Sequence, residues 1–422
     1  MSPSTPRGHL PSGRRGLVLV FCALACGIAC EPDTPYQALL RACGEPEGGW
    51  QPHTYYRLMV DLNPALGRDE ACFAPDAPLV TLDGNGHEIR RRAAPGDLNT
   101  GGVAIRLARP ENVVVTNFRI SEFTTGVSIV GAGATENGAR VTGMTFGFNR
   151  TAVELANAAG ARIEGNTFHV TGLRISTGVR VVGSARVVVA DNNLDGLLLG
   201  VMMADTTEGW IERNTMEASD GGLHVTGGSV AVVENRLTGM AASGIVVEDV
   251  EDSAELTGNI VGFDVGDGQS AVRVTASAHV LARRNEIRVN NPRGGVGYNA
   301  LLLDRTNDSW VEDNVITDNA GTNGLVLRSS SRNAITGNQL HRNMTGLVGA
   351  ADPATAGRSE QNVILGNEAC GNTRFDVVCY NLHDVAPGSA GNVFGSLAQC
   401  RAAPVSDPNW PVADQHFSAC PR

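Results

Sequence analysis

A short phrase that recurs through most of the chain constrains the fold more than any other feature. It consists of an apolar residue, two variable residues, Asn, one variable residue and a second apolar residue, and consecutive copies lie 21 to 29 residues apart. Repetition at such a period is typical of a solenoid, in which each repeat packs only against its neighbours. The Asn residues of the clear copies are Asn166, Asn192, Asn214, Asn235, Asn259, Asn285, Asn314 and Asn338.

A second phrase interleaves with the first and consists of a small residue, usually Gly, then apolar, any and apolar. It begins at residues 126, 152, 178, 200, 222, 244, 271, 300, 324 and 346. Both phrases alternate with a period of two, and no long stretch after residue 45 has the 3.6-residue period of a helix. The sequence therefore predicts an all-β solenoid rather than leucine-rich or helical repeats.

The repeated Asn has a physical role in such a solenoid. Stacked coil upon coil at a bend, its side-chain amide can satisfy backbone groups and the equivalent Asn of the next coil. A Thr or Ala at this position would leave those groups unpaired. We therefore expect an asparagine ladder along one bend.

Together with VTLDGNGHEI at residues 80–89, these phrases resemble the right-handed parallel β-helix proteins of the pectate-lyase-like superfamily. The resemblance covers residues 79–395 and implies one right-handed parallel β-helix of about 12 coils. Residues 30–78 are then an N-terminal linker and cap, in which residues 34–42 suit a short amphipathic helix that covers the first coil. Residues 396–422 form a C-terminal cap or tail.

The N-terminus indicates export. Arg14 and Arg15 precede an apolar run at residues 17–30, which is too short to span a bilayer as a stable helix. The run resembles a bacterial lipoprotein signal over residues 1–29, with Cys30 as the candidate lipidation site, and ordinary cleavage after Ala25 or Ala29 is the alternative. We expect an exported protein, either a lipoprotein of the outer membrane or cell surface, or a periplasmic or extracellular protein.

After Cys30 the chain has six cysteines, two before residue 73 and four after residue 369, with none between them. A solenoid needs covalent support at its ends, because a terminal coil lacks a neighbour on one side. Fifteen pairings are possible, and no C-x-x-C spacing indicates zinc. Proximity in sequence favours Cys43 with Cys72, Cys370 with Cys379, and Cys400 with Cys420.

Composition excludes several functions. The chain has no Lys, so a Schiff-base lysine and a phosphate-binding G-x-x-x-x-G-K-[ST] loop are impossible. Its formal net charge is -11, which disfavours nucleic acid and anionic membrane surfaces as partners. Membrane contact is expected only through the lipid anchor, and we expect a monomer.

Functional side chains of a β-helix must point outward, because the inward positions fill the core. The third residue of each Gly-apolar-any-apolar phrase predicts such a column, which is polar in its first part and apolar at its end. A solvated face with a loop over the apolar end is the alternative interpretation. The column is Ser128, Glu154, Arg180, Met202, His224, Val246, Arg273, Leu302, Val326 and Val348. Glu154, Arg180 and, beside it, Asp195 are the predicted substrate-binding residues.

The densest set of catalytic side-chain types comprises Asp220, His224, Asp264, Asp267 and Arg273, within about three coils. The resemblance implies enzymes that cleave or epimerise acidic polysaccharides with clustered Asp and Ca²⁺, an Arg or Lys base, or paired Asp. Ca²⁺ is therefore a possible cofactor here. The hydrolase phrases N-T-D and G-H-G and the epimerase phrase D-P-H-D are absent from the sequence.

Three other features have structural interpretations. The acidic run VEDVEDSAEL at residues 247–256 is read as a solvated turn, because its spacing fits no known calcium loop. His87 in the LDGNGH phrase is read as a turn histidine.

Met202, Met203, Met216 and Met240 gather around His224, and the NosD-like β-helix proteins are associated with copper. Alternation nevertheless turns Met203 and Met216 into the core and leaves only Met202 and His224 outward.

Two functions remain open from the sequence. The first is a binding or scaffold protein of the cell envelope that contacts polysaccharide along its outer face. The second is a polysaccharide lyase or epimerase that uses the Asp, His and Arg cluster.

Overall fold

The computed structural model describes residues 36–92, 101–131, 137–170, 176–264, 270–290, 298–319, 321–350 and 359–380, and the backbone of two short strands after them. The chain divides into two units, residues 1–35 and 36–422, and every described residue lies in the second. The predicted signal segment and Cys30 therefore lie outside the described residues. In the part of the chain that is described, no helix is long and apolar enough to cross a membrane.

The described residues form strands and no helix. The first strands are β1 (Tyr36–Leu40), β2 (Thr54–Leu58), β3 (Ala71–Phe73), β4 (Thr81–Asp83), β5 (Glu88–Arg90), β6 (Val103–Ala108), β7 (Val114–Thr116), β8 (Arg119–Ser121), β9 (Thr125–Val130), β10 (Arg140–Thr142), β11 (Thr145–Phe146), β12 (Thr151–Ala156), β13 (Arg162–Glu164) and β14 (Thr167–His169). The central strands are β15 (Thr177–Val182), β16 (Val188–Ala190), β17 (Asn193–Asp195), β18 (Leu199–Ala204), β19 (Gly209–Glu212), β20 (Thr215–Glu217), β21 (Gly221–Thr226), β22 (Ser229–Val233), β23 (Arg236–Met240), β24 (Ser243–Glu248), β25 (Ser253–Thr257), β26 (Ile260–Asp264) and β27 (Ser270–Thr275). The last strands are β28 (Val280–Arg283), β29 (Glu286–Asn290), β30 (Asn299–Asp304), β31 (Trp310–Glu312), β32 (Val315–Thr317), β33 (Asn323–Arg328), β34 (Ala334–Thr336), β35 (Gln339–His341), β36 (Thr345–Ala350), β37 (Val363–Leu365), β38 (Glu368–Cys370), β39 (Phe375–Tyr380), β40 (Val393–Phe394) and β41 (Ala398–Gln399).

These strands make three parallel sheets. Sheet A contains β1, β2, β4 and then every third strand to β40; sheet B runs from β5 to β41; sheet C runs from β3 to β39. From β4 to β39 the chain passes through A, B and C in turn, which gives twelve successive coils in the described part. The predicted all-β parallel β-helix is confirmed.

The predicted N-terminal helix at residues 34–42 is wrong, because Tyr36–Leu40 is strand β1. It pairs in parallel with β2, from Tyr36 opposite Thr54 to Leu40 opposite Leu58. A parallel strand satisfies the backbone N–H and C=O groups at the edge of sheet A, which a helix laid over the coil would leave unpaired. The sheets therefore begin well before residue 79.

The core fills the space between the three sheets. Most inward residues are aliphatic, and burying one such side chain contributes about 1.5–3 kcal/mol. A few phenylalanines occupy the wider positions, and the rings of Phe146 and Phe168 stack on consecutive coils with centroids 4.9 Å apart. Because a thin repeated core needs few large side chains, this packing agrees with the 5% aromatic content of the sequence.

The predicted asparagine ladder is confirmed at the bend between sheets A and B. In its middle, Asn214 Nδ2 donates to Asn235 Oδ1 at 3.0 Å and to the Val189 carbonyl at 2.9 Å. The Asn214 backbone N–H donates to the same Asn235 oxygen at 3.0 Å. The pattern continues from Asn166, whose oxygen accepts from the Met144 N–H, to Asn367.

The residue before each ladder Asn turns the chain through the left-handed region. Its φ is positive whether it is Gly165, at 65°, or Arg213, at 51°. From β7 to β38, every connection from sheet A to sheet B is two residues long. The longer connections, such as residues 91–102, 131–139, 265–269 and 291–298, all enter or leave sheet C. Sequence insertions therefore border sheet C.

The predicted disulfide between Cys43 and Cys72 is present. It joins the segment after β1 to β3, and the Gly44 N–H donates to the Cys72 carbonyl at 2.8 Å beside it. Cys370 is also disulfide-bonded. The side chain of Cys379 and all of Cys400 and Cys420 lie outside the described residues, so the other two predicted pairs stay predictions.

Candidate functional site

The outer face of sheet C carries the column that the sequence predicts. Each middle side chain lies opposite its counterpart on the next strand, for example Glu154 opposite Arg180, and Met202 opposite His224. The register continues without a break from Ser128 through Arg273 to Val348. Strand alternation alone set the direction of these side chains, and the parallel register brings them into one line.

The apolar end of the column is covered. Leu302, Val326 and Val348 point away from the main core, yet they form a second cluster of side chains exposed by only 5 to 7%. Val246, higher in the column, is also buried. Only the part of the column before Leu302 offers polar groups at the surface.

The first polar pair of this surface is Glu154 with Arg180. Arg180 Nη1 donates to Glu154 Oε1 at 2.7 Å across neighbouring strands β12 and β15. The other oxygen of Glu154 lies 3.5 Å from the Thr125 hydroxyl. Glu154 and Arg180, two of the three predicted substrate-binding residues, therefore face outward together and are about two-thirds buried.

The second polar group centres on Glu248, the last residue of β24. Its Oε2 lies 3.2 Å from His224 Nε2 on β21, and its Oε1 accepts from Arg273 Nη2 on β27. The Thr226 hydroxyl lies 3.3 Å from the same His224 nitrogen. Two predicted catalytic side chains, His224 and Arg273, thus contact the Glu248 carboxylate from the preceding and the following coil.

This arrangement fixes the orientation of the imidazole and the guanidinium. Glu248 engages His224 through Nε2, and His224 Nδ1 makes no hydrogen bond among the described residues, so that nitrogen can meet a ligand. Arg273 Nε is buried and has no hydrogen-bond partner among the described residues. The group can donate hydrogen bonds and exchange a proton at His224, which are the properties that carbohydrate recognition or acid–base chemistry needs.

The sequence interpretation of residues 247–256 missed Glu248. Asp249, Glu251 and Asp252 lie exposed in the connection between β24 and β25, as expected for a solvated turn. Glu248 and Glu255, however, are strand residues held by arginines. The signal was present in the alternation, because Glu248 follows Val246 by two residues and therefore shares its outward face.

The predicted aspartates are less closely placed. Asp220 lies just before β21, where its N–H donates to the Leu197 carbonyl at 2.9 Å. Asp264 ends β26, but its side chain is not described, and Asp267 lies outside the described residues. The predicted five-residue catalytic cluster thus stays a prediction, with His224 and Arg273 as the pair that the structure joins.

Asp195 lies on a different sheet. It ends β17 in sheet B, where it faces Glu217 of β20, and its carboxylate accepts from His169 Nδ1 at 2.8 Å. The column of Glu154 and Arg180 is on sheet C. The sequence predicted Asp195 in a turn beside this column, whereas the structure places it within strand β17 of sheet B.

His87 is a turn histidine, as predicted. Its Nδ1 lies 3.0 Å from Asp61 Oδ1, and the same oxygen accepts from the Glu88 N–H at 2.9 Å. The backbone hydrogen bond from Glu88, then that from His87, lowers the pKa of Asp61 below its ordinary value. The LDGNGH phrase thus serves the first turn of the solenoid.

Comparisons with known proteins agree with this architecture. Residues 221–376 match the family described as right handed beta helix region, and residues 85–265 match the family described as periplasmic copper-binding protein (NosD). No curated protein matches the chain.

Solved structures of the same fold include a tailspike protein mutant of E. coli bacteriophage HK620 in complex with pentasaccharide, at 10% identity and a TM-score of 0.51, covering 78% of this chain and 71% of that one. A mutant of the periplasmic alginate epimerase AlgG is 13% identical, with a TM-score of 0.45 and coverage of 77% of each chain.

The sheet topology, the repeats and these matches define the fold class of the chain as a right-handed parallel β-helix. Within that class, its N-terminal and central coils match the NosD family over residues 85–265.

The described residues do not form the copper site that the NosD description implies. Met203, Met216 and Met240 are fully buried in the core, as alternation predicts for the first two. Only Met202 and His224 lie outward together, and His224 already contacts Glu248. Two soft ligands without a third make an incomplete copper site.

One other group has metal-ligand chemistry among the described residues. Ligand atoms of His341, Glu368 and Cys370 lie within 4.8 Å of one another on sheet B. The Cys370 sulfur is in a disulfide, and metal binding requires the thiolate. This group therefore lacks the ligand that would make it a metal site.

Proposed function

We propose that this chain is an exported cell-envelope protein that binds polysaccharide along the outer face of sheet C. The observation that carries the proposal is the outward group of His224, Glu248 and Arg273, which continues the line of Glu154 and Arg180. None of these side chains fills the core. Each is only about a third exposed, so a ligand there would contact groups with fixed orientations.

The chemistry of the surface suits a glycan. Carboxylates accept from sugar hydroxyls, and guanidinium groups donate to them, at spacings set by the strand separation of about 4.8 Å. The HK620 tailspike, a protein of the same fold, holds a pentasaccharide. Export is supported by the apolar N-terminal run and by the match to a periplasmic family.

The test is affinity electrophoresis of the full mature protein in gels that contain neutral or uronate polysaccharides. We expect retardation of the wild type, and a loss of roughly tenfold in affinity for Glu248→Gln, because the imidazole and the guanidinium lose their shared charged partner. Glu217→Gln removes an exposed carboxylate from sheet B and is the matched control. Equal retardation of the wild type and Glu248→Gln across all polymers would contradict the proposal.

A second candidate function is a polysaccharide lyase or epimerase, favoured by the contact of both His224 and Arg273 with Glu248. Here Asp220, His224 and Arg273, with Asp264 and Asp267 and a possible Ca²⁺, would neutralise a uronate and exchange its C5 proton. Incubation with uronate polysaccharides, with and without Ca²⁺, distinguishes the two functions. Absorbance from unsaturated products or a change in C5 stereochemistry indicates catalysis, whereas retardation without either indicates binding alone.

A further inference from the structure

The outer face of sheet A carries a second line of side chains, and nothing in the sequence analysis or the family matches assigns it a role. Parallel pairing aligns one outward residue from each of five consecutive strands, β19 to β31. We call this line the tryptophan strip: Trp210, Ala231, Glu255, Leu281 and Trp310. Its two indole rings are 38% and 49% exposed.

Trp210 and Trp310 are two of the three described tryptophans. Among the described residues the remaining tryptophan, Trp50, is buried in the core against Tyr56 and Phe73. The equivalent outward line of sheet B is mostly polar, as Thr215 and Arg236 illustrate. Single exposed apolar residues are common on protein surfaces, but two large aromatic side chains aligned on one sheet form the kind of surface that contacts a ligand or partner.

The spacing within the strip fits a linear chain of sugar rings. Four strand steps separate Trp210 from Trp310, which at about 4.8 Å per step places the two residues roughly 19 Å apart along the stacking direction of the coils. One strand step is close to the length of one pyranose residue in an extended polysaccharide. A polysaccharide that runs along the strip therefore meets an indole at each end, above a stretch that contains the short side chain of Ala231.

A hydrogen-bonding group stands midway between the two indoles. Glu255 Oε1 accepts from the Thr257 hydroxyl at 2.8 Å and from Arg283 Nη2 at 2.9 Å. These hydrogen bonds, with that of Thr257 the stronger influence, lower the pKa of Glu255 and keep it ionised. Glu255 Oε2 makes no hydrogen bond among the described residues, so it is available to accept from a sugar hydroxyl.

We propose that the tryptophan strip binds an uncharged polysaccharide, with pyranose rings stacked on Trp210 and Trp310 and a hydroxyl donating to Glu255. Flat indole faces suit the apolar faces of pyranose rings. The chain has a net charge of -11, and Glu255 paired with Arg283 gives the strip no excess positive charge, so the strip offers a uronate no counter-charge and favours neutral sugars. The strip shares no residue with the proposed sheet C surface, and each site can fail without the other.

A second copy of the chain fits the strip less well. The strip is nearly symmetrical about Glu255, with a small or aliphatic residue and then Trp on either side. A two-fold dimer built on it would therefore bring Glu255 against Glu255 of the second copy. Two carboxylates buried at one contact repel each other at a cost that apolar contact does not offset.

The test uses full-length mature protein and three soluble neutral polymers: hydroxyethyl cellulose, xylan and galactomannan. Affinity electrophoresis measures binding, and the fluorescence of the exposed indoles reports contact with cello- or manno-oligosaccharides. The variants are Trp210→Ala, Trp310→Ala and the double variant. Ile260→Ala on sheet B is the matched control, because Ile260 is also an apolar residue with 38% exposure. Trp210→Phe tests whether an aromatic ring alone is sufficient.

We expect retardation of the wild type by at least one neutral polymer. Each single Trp→Ala variant should weaken binding by roughly tenfold and the double variant should abolish it, while Ile260→Ala binds normally and Trp210→Phe retains most of the affinity. A double variant that is retarded like the wild type would overturn the proposal, as would a wild type that binds none of these polymers. Sedimentation that shows a wild-type dimer, lost in the double variant, would overturn it in favour of a second copy.

Glu248→Gln separates the two surfaces. If the sheet C proposal fails, Glu248→Gln behaves as the wild type in every gel while the Trp variants still lose binding to neutral polymers. If the tryptophan strip fails, the Trp variants behave as the wild type and only Glu248→Gln changes.

Discussion

Individual residues hold the coils in register through groups that water cannot reach. Asn214 is 1% exposed, and its side-chain NH2 group donates to the Val189 carbonyl of the preceding coil and to the Asn235 oxygen of the next coil. At the N-terminal end, Asp83 plays a comparable part. Its carboxylate accepts from the Tyr55 hydroxyl, from the Asn85 N–H at 2.8 Å and from Asn117 Nδ2 at 3.1 Å. The sequence signalled both positions, through the repeated Asn and the LDGNGH phrase.

Replacing Asn214 with Leu should lower the free energy of unfolding by about 1–3 kcal/mol, because it leaves the Val189 carbonyl and the Asn192 amide groups without a partner in the interior. Chemical denaturation followed by circular dichroism measures the change. Asn193→Leu, at an exposed position of β17, is the control and should change stability by roughly 0.5 kcal/mol at most. Equal stability of the two variants would show that the ladder contributes nothing.

Asp83→Asn should destabilise the protein at neutral pH but not in strong acid. Burial alone raises the pKa of Asp83, but the hydrogen bonds from Tyr55, Asn85 and Asn117 outweigh it and hold the pKa below the ordinary value of 3.8. The stabilisation is then complete above pH 3.8 and is lost as the pH falls through the folded-state pKa.

Urea unfolding of the wild type and Asp83→Asn at several pH values measures this dependence. The gap should be roughly 1–3 kcal/mol at pH 7 and should close in acid. Asp76→Asn, whose exposed carboxylate makes no hydrogen bond among the described residues, is the control. A gap that is independent of pH would mean that the ionised carboxylate is not the stabilising species.

Pairing of the strands requires the backbones of consecutive coils to approach each other closely. Gly222 is the second residue of β21 and the first of its Gly-apolar-any-apolar phrase, and a Cβ added there would lie 2.2 Å from Leu237 Cδ2 and 2.3 Å from the Gly244 carbonyl oxygen. Gly200 and Gly178 meet similar obstacles. This explains why the Gly-apolar-any-apolar phrase begins with a small residue. The same phrase begins with Ala at residues 152, 271 and 300. Whether a Cβ fits at this position therefore depends on the atoms of the neighbouring coils, which the sequence alone does not specify.

Gly222→Ala should therefore cost about 1–3 kcal/mol of stability through overpacking against Leu237 and the next strand. Thermal and chemical unfolding measure the loss. Gly262→Ala is the matched control within a strand, because the nearest atom to its added Cβ is 3.5 Å away. A Gly222→Ala protein as stable as Gly262→Ala would show that the coils separate easily at this point.

At the scale of the whole molecule, several arginines of the described coils form ion pairs with the neighbouring coil. Arg213 binds Asp191 on the preceding coil through two hydrogen bonds, and Arg332 does the same with Asp308. The hydrogen bond to Arg213 lowers the pKa of Asp191. Each such exposed ion pair contributes at most about 1 kcal/mol to stability. These pairs therefore order the acidic side chains at the surface and add little to the free energy of unfolding. Arg suits this role better than Lys, because one guanidinium group can donate to both oxygens of a carboxylate at once.

The sequence by itself determined the coil, the asparagine ladder, the outward column and one disulfide, because each depends on a local pattern: a period of two, a repeated bend, or cysteines close along the chain. Only the tertiary structure decided that residues 36–40 extend sheet A, that Glu248 joins His224 to Arg273, and that Trp210 and Trp310 share a line. Alternation fixes the direction of a side chain, whereas its neighbour across the sheet depends on the irregular lengths of the connections between coils. Residues 21 to 32 positions apart in the sequence therefore come within about 3 Å of each other. No local sequence pattern specifies which residues these are.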